Sequence, residues 1–387
     1  MKQLFLRYKN DKWFWPFLGI AIVALIAILL MSRDAGTSGD EFFHNKHAKD
    51  VYNWYASAGK DTTAVTVTEQ NNLPTYGQVV DNLAYVIYHW TGVDSEMSIR
   101  HLVCSFFGWL AMLFAALIGF RLTKKWRPAV IILILMFLSP RFLGHSFNNL
   151  KDLPFATAMI MGLYYIIAFL QDFPKVKKST MVMLAVSIGF AIAVRIGGLL
   201  LIAFFGLFAA IMFISRYKFS SIWSKPNNKL FGKLFLWGLI IVIGGYILAL
   251  LLWPYALNKP IENPKFVLSY MSQFATAIRQ LFEGSFQWSD MLPWYYTPKF
   301  ILMTIPVAVI IGFLLYPFVG GWKKENRLET FMLYFAFIFP VFWIVYSNAN
   351  VYGGWRHAMF AYPPMVVAAG LGFSALADFI QLRITNY

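Results

Sequence analysis

The sequence predicts an all-α polytopic membrane protein of about ten transmembrane helices, and three observations predict it. Hydrophobic residues make up 59% of the 387 and charged residues only 13%, where soluble chains carry about a quarter charged. The apolar residues collect in runs close to the ~20 needed to cross a ~30 Å hydrocarbon core. The basic residues collect between those runs in a pattern that alternates from one loop to the next.

The runs fall at 13–31, 101–120, 129–140, 153–170, 180–195, 198–215, 234–253, 300–319, 330–346 and 358–380. The first is long enough to span and lacks a small-residue cleavage pattern, so it reads as a retained span. The third and fifth are short. Arg195, followed by Gly197 and Gly198, turns the chain between the fifth and sixth, because an arginine at the bilayer centre is expensive. The rest of the chain is loop, and the whole reads as one integral membrane domain, 1–387, with no separate soluble domain and no internal repeat of the kind inverted-repeat transporters carry.

Two loops are long. The first, 32–100, holds two amphipathic segments that would lie in the interface plane: Asp40 to Ala56, with Phe43, His47, Val51 and Tyr55 at helical spacing, and Tyr76 to Trp90, with Val79, Leu83, Val86 and Trp90. The polar stretch "GKDTTAVTVTEQNNLPTYG" between them reads as loop. The second, 254–299, holds an amphipathic stretch from Phe266 to Phe282 and then the aromatic "QWSDMLPWYYTP".

Charge orients the chain. With ten spans, Lys2, Arg7, Lys9, Lys218, Lys323 and the loops "RLTKKWRP" and "QDFPKVKKS" share one side, which then carries the whole formal charge of +15. The positive-inside rule makes that side, and both termini, cytoplasmic. The basic excess is thus a topology signal facing anionic lipid, and it calls for no nucleic acid. All six histidines and most of the 18 acids fall on the other side, so any chemistry faces outward. The inner loops offer no Gly-rich phosphate cradle. The lone cysteine, Cys104, leaves no intramolecular disulfide.

Three polar constellations stand out on the outer side. "GDEFFHNKHAKD" places Asp40 and Glu41 just beyond the first span, where Asp40 serves equally as a helix N-cap or as the base that takes a proton from an attacking hydroxyl. His44 and His47 follow as supporting groups. Glu41-x-x-His44-x-x-His47 is a metal-compatible spacing, although no metal is expected. "SPRFLGHSFNNLKDLPFA" gathers Arg141, His145, Asn148, Asn149, Lys151 and Asp152, the last also a competent helix cap. "AVRIGGLLL" and "VYGGWRHAMFAYPP" contribute Arg195, Tyr352, Arg356 and His357, the arginines suited either to phosphate oxygens or to snorkelling.

Taken in order, "DEFFH", "GHSFNNLKDLPFA", "RIGGLLL", "LPWYYTP" and "YGGWRHAMFAYPP" resemble the GT-C superfamily of polyprenyl-phosphate-dependent glycosyltransferases. The nearest branch holds the bacterial relatives of the protein O-mannosyltransferases and of the lipid A aminoarabinose transferase. The likeness runs from about residue 13 to 380. It implies a GT-C fold and an inverting transfer of a sugar from a polyprenyl-phosphate donor to a protein or lipid hydroxyl at the outer face of a bacterial inner membrane. It implies Asp40 as base with Glu41 beside it, Asp152 shaping the site, and Arg356, Arg195 and Lys151 on the donor phosphate. His44, His145, Asn149, His357 and Tyr352 would support the site or meet the acceptor. No cofactor is implied. Readings from other classes are a lipid or lipid-linked-sugar flippase, and a membrane acyltransferase with His145 or His357 as base.

Overall fold

The structure, a computed structural model, describes residues 11–68, 71–93, 95–217, 225–272, 277–321 and 324–385. Lys2, Arg7, Lys9, Lys218 and Lys323, which entered the charge argument, lie outside the described residues. In chain order the helices are α1 (Phe14–Met31), α2 (Glu41–Ala56), α3 (Val79–Thr91), α4 (Glu96–Thr123), α5 (Trp126–Phe137), α6 (Pro140–Asn148), α7 (Asp152–Asp172), α8 (Lys178–Val194), α9 (Leu199–Tyr217), α10 (Lys225–Leu251), α11 (Pro254–Asn258) and α12 (Glu262–Ser272). A hairpin of β1 (Arg279–Phe282) and β2 (Ser285–Trp288) precedes α13 (Tyr296–Thr304), α14 (Val307–Tyr316), α15 (Arg327–Tyr346) and α16 (Tyr362–Thr385).

Among the described residues seven helices are long and apolar enough to cross a membrane, and two bent pairs raise the number to nine. The 17-residue α8 is a further, shorter apolar helix. This is a multi-span all-α membrane protein. The bends have local causes. Between α5 and α6 the axis turns by 69° at the residues before Pro140. The run 300–319, expected as one continuous span, is broken by 106° between α13 and α14. Pro306 has no N–H to give and pushes the preceding Ile305 to extended backbone, φ −94° and ψ 151°.

The stretch Phe266 to Phe282 is corrected as well. Its first part, to Ser272, is helical, in α12, and its end, from Arg279, is strand β1, with 273–276 outside the described residues. Glu283 and Gly284, at φ 52° and 79°, make the two-residue turn that closes β1 on β2.

The chain divides into two compact units. One comprises Met1–Asp34, Ser105–Phe147 and Ser272–Tyr387, and the other Ala35–Cys104 and Asn148–Met271. Lipid supplies no hydrophobic drive between helices, so close backbone approach at small residues does the holding. In the first unit a Cβ on Gly312 of α14 would stand 2.6 Å from the Ala369 carbonyl of α16. In the second, a Cβ on Gly189 of α8 would stand 2.6 Å from the Gly245 carbonyl of α10. The enclosed α7 packs against α8 and α9 in that same unit.

The two amphipathic helices of the first long loop exist at nearly the expected bounds, and each also buries polar residues. The buried face of α2 is Glu41, His44, His47, Ala48 and Val51, while Phe43 is 63% exposed. The buried face of α3 is Val80, Asp81, Ala84 and Tyr85, while Trp90 is 76% exposed. Glu41, His44 and Asp81 point inward because each finds a polar partner there. Tyr52 of α2 joins the helices by ring contact with Tyr85 and His89 of α3.

Candidate active site

The second unit holds most of the residues singled out in the sequence. At the start of α2, Asp40 occupies the N-cap with an exposed side chain that makes no cap hydrogen bond. Its neighbour is held by two hydrogen bonds. Glu41 Oε2 accepts from the Ser38 N–H at 2.6 Å, and Glu41 Oε1 accepts from His101 Nε2 of α4 at 3.0 Å. Glu41 and His101 are both buried. Adjacent acids thus have separate fates: one carboxylate is locked between an imidazole and a backbone N–H, and the other lies at the surface.

One turn on, His44 Nδ1 donates to Gln78 Oε1 at 2.8 Å, while Gln78 Nε2 donates back to the His44 carbonyl at 3.1 Å. Gln78 is fully buried and left-handed, φ 41°, an uncommon backbone for a residue with a Cβ. Burial, then the nearby Lys151 ammonium, push His44 below its ordinary value, with Asp81, Gln78 and Asp40 acting the other way. Lys151 itself places Nζ 4.6 Å above the Tyr76 ring.

Asp152 is buried at the start of α7 and is held from two sides. Arg195, in extended backbone where α8 ends, pairs with Asp152 Oδ1, and Asn149 Nδ2 donates to Oδ2 at 3.1 Å. The Asp152 N–H in turn donates to Asn149 Oδ1 at 2.9 Å. The sequence assigned Asp152 and Arg195 to different parts of the site, and the fold makes them one ion pair.

A second buried pair escaped the sequence reading. Arg100 and Asp81 approach to 2.5 Å with both side chains almost wholly enclosed, and Arg100 also donates to Asn45 Oδ1 of α2 at 3.3 Å. The signal was Asp81 inside an apolar helical run and Arg100 beside His101 at the head of a span, placements that solvent alone does not favour. Gln78 gave no such signal, since a glutamine beside a glycine reads as loop.

The first unit holds the remaining candidates. Gly353 and Gly354 are both left-handed, φ 68° and 70°, which lets the chain fold tightly under two arginines. The Gly353 carbonyl accepts from Arg141 of α6, and a Cβ on Gly354 would stand 2.6 Å from the same guanidinium. Arg356 lies 4.7 Å above the Tyr352 ring, whose edge meets His357 at a ring distance of 4.7 Å. Gln280 and Tyr296 fix the turn by accepting from the N–H groups of Gly353 and Gly354 at 2.7 and 3.0 Å. His145 sits half-buried on α6 in this unit.

The spacing Glu41-x-x-His44-x-x-His47 does not converge, because Glu41 turns to His101 and His44 to Gln78. Among the described residues no three His, Cys, Asp or Glu side chains gather as a metal would require. His47 is buried, its Nδ1 without a hydrogen-bond partner among the described residues, and burial, then His44, push it down to about 4. The unfolded chain therefore takes up the proton first as pH falls below the ordinary 6.5. The His47 contribution to stability is flat above that value and declines down to about 4, with about 2 kcal/mol of it lost by pH 5. Denaturation midpoints of the detergent-solubilised protein at pH 7 and 5 check this, and His47→Phe is expected to shrink the difference.

No family model matches the sequence, and no curated protein matches it. Solved structures do match. The fold is similar to ArnT from Cupriavidus metallidurans in the apo state, at TM-score 0.62 and 16% identity, over 94% of this chain and 59% of that one. The same protein bound to undecaprenyl phosphate gives TM-score 0.61 at 15% identity, over 94% and 60%. The archaeal oligosaccharyltransferase AglB from Archaeoglobus fulgidus, in complex with an inhibitory peptide and a dolichol-phosphate, gives TM-score 0.60 at 12% identity, over 96% of this chain and 51% of that one. The chain spans between half and three fifths of the length of these proteins, and over that length it shares their polytopic membrane fold.

Proposed function

We propose that the protein is an inverting glycosyltransferase that moves a sugar from a polyprenyl-phosphate donor to a hydroxyl of a protein, lipid or glycan acceptor. On this reading it works at the outer face of a bacterial inner membrane, with both termini cytoplasmic. Support comes from the shared fold, since the similar structures include one bound to undecaprenyl phosphate and one holding a dolichol-phosphate. The observation that carries the reading is the separation of Asp40 from Glu41: an exposed carboxylate at the head of an interfacial helix, whose neighbour is locked by His101.

In the proposed reaction the acceptor hydroxyl oxygen attacks the anomeric carbon from the face opposite the phosphate. Its proton passes to Asp40, the bond from the anomeric carbon to the phosphate oxygen breaks, and polyprenyl phosphate leaves. Glu41 fixes the helix that presents Asp40, and His44 supports it from below. Asp152, with Asn149 and Arg195, holds the head of α7 and so sets where Lys151 stands. Arg356 is first choice for the departing phosphate, with Lys151 and Arg195 after it, because a guanidinium offers phosphate a planar fork. His145, His357 and Tyr352 are left for acceptor or sugar contacts. The scheme uses no metal, the phosphate charge being met by these cations.

The test is purified protein with a polyprenyl-phosphate sugar, scoring release of polyprenyl phosphate. Movement of the lipid across the bilayer without cleavage would replace this reading with a flippase. Arg356→Ala is expected to raise the donor KM about 10- to 100-fold, the value of a hydrogen bond to a charged group. An unchanged donor dependence removes Arg356 from the phosphate.

A further inference from the structure

The β1–β2 hairpin is a regular element the hydropathy pattern did not foreshadow, and its two faces differ. The register pairs Arg279 with Trp288 and Leu281 with Phe286 on one face, and Gln280 with Gln287 and Phe282 with Ser285 on the other. The second face is anchored. Phe282 is buried against Tyr296 and Phe300, and Gln280 accepts from the Gly353 N–H. The turn is tied down as well, because Glu283 pairs with Lys299 of α13 and accepts from the Tyr295 hydroxyl. The first face is bare: Leu281 is 61% exposed, Phe286 66% and Trp288 48%.

A rigid hairpin that fixes an apolar face outward needs something to cover that face. The depth of the hairpin says what. Phe282 shares a hydrophobic cluster with Val351 and Ile344, so the hairpin sits level with the last turn of the spanning helix α15. That turn also carries Trp343 and Tyr346, both largely exposed, the aromatic pair expected where a span leaves the hydrocarbon. Charge agrees with depth. Arg279 lies 5.3 Å from the Phe286 ring and 5.9 Å from the Trp288 ring, a cation held over an apolar surface.

We propose that Arg279, Leu281, Phe286 and Trp288 form a membrane-contact face that rests in the headgroup–acyl boundary of the adjacent leaflet, with Arg279 on the phosphate of an anionic phospholipid. The opposite face of the same hairpin holds the Gly353 turn through Gln280, so lipid engagement braces the segment that carries Arg356. This placement is independent of the proposed transfer reaction.

Nitroxide labels on Phe286→Cys and, separately, Leu281→Cys test it in the full-length protein. The native Cys104 is buried and stays unlabelled. In vesicles of phosphatidylethanolamine and phosphatidylglycerol both labels are expected about 5–10 Å below the phosphate plane, favouring collision with oxygen over a water-soluble nickel chelate. Arg279→Glu is expected to raise the water-accessible fraction of the Phe286 label about fivefold on anionic vesicles, and to leave it unchanged on purely zwitterionic ones. Labels that favour the nickel chelate on both vesicle types overturn the proposal in favour of an aqueous partner. Dipolar broadening between labels on two molecules overturns it in favour of self-association.

Discussion

If Asp40 is the base of the proposed reaction, Asp40→Asn is expected to lower the transfer rate by about 10²–10⁴-fold, the usual loss when a positioned general base is removed, and to leave the denaturation midpoint of the protein within error of wild type. Both halves follow from the same geometry. The side chain is exposed, and a substitution of similar shape at an exposed position usually stays within about 0.5 kcal/mol of wild type. The amide cannot accept the acceptor's proton, so the chemical step loses its base. The donor KM is expected to stay put, since the substitution leaves the cations that meet the phosphate alone. Glu41→Gln is the contrast: it weakens the bond to His101 and the tie to Ser38, and both stability and rate fall. Single-turnover release of polyprenyl phosphate, read beside thermal denaturation, separates the two variants. Turnover that survives Asp40→Asn intact ends the base assignment.

Much of the fold was open to inspection in the sequence because membranes impose a simple rule. Apolar runs of the right length became helices, and the 3.6-residue spacing found α2 and α3 to within a few residues. That spacing marked an apolar stripe on each helix, with Phe43 and Trp90 exposed, and gave no sign of the polar residues that each helix buries. Hydropathy assumes that polar groups seek water, but Glu41 and His44 are satisfied by His101 and Gln78, leaving Phe43 and Trp90 to the surroundings. Such pairing joins residues dozens of positions apart and leaves no periodic trace. The break at Pro306 was legible in principle, yet an uninterrupted apolar run concealed it. Among the site candidates, position marked out Asp40 and Asp152 as special. Only three-dimensional contact revealed that Arg195 is committed to Asp152, and that Arg100 and Asp81 form a buried pair of their own.

That pair carries the largest expected effect on stability. Arg100→Met leaves the Asp81 carboxylate enclosed and uncompensated, and is expected to cost about 3–5 kcal/mol. The double variant Arg100→Met with Asp81→Leu removes both charges together. It is expected to return close to wild-type stability, because an apolar pair of similar volume replaces a buried ion pair at little net cost. The coupling seen in such a cycle measures the interaction, where either single variant measures mainly the abandoned partner. Arg100 also reaches Asn45 of α2 and directly precedes His101, which holds Glu41. The pair therefore ties α2 to the head of α4, and with it the place from which Asp40 would act in the proposed reaction. If its role is confined to building that scaffold, the double variant transfers sugar at near the wild-type rate once folded. A double variant as stable as wild type yet inert would instead bring Arg100 or Asp81 into the chemistry itself.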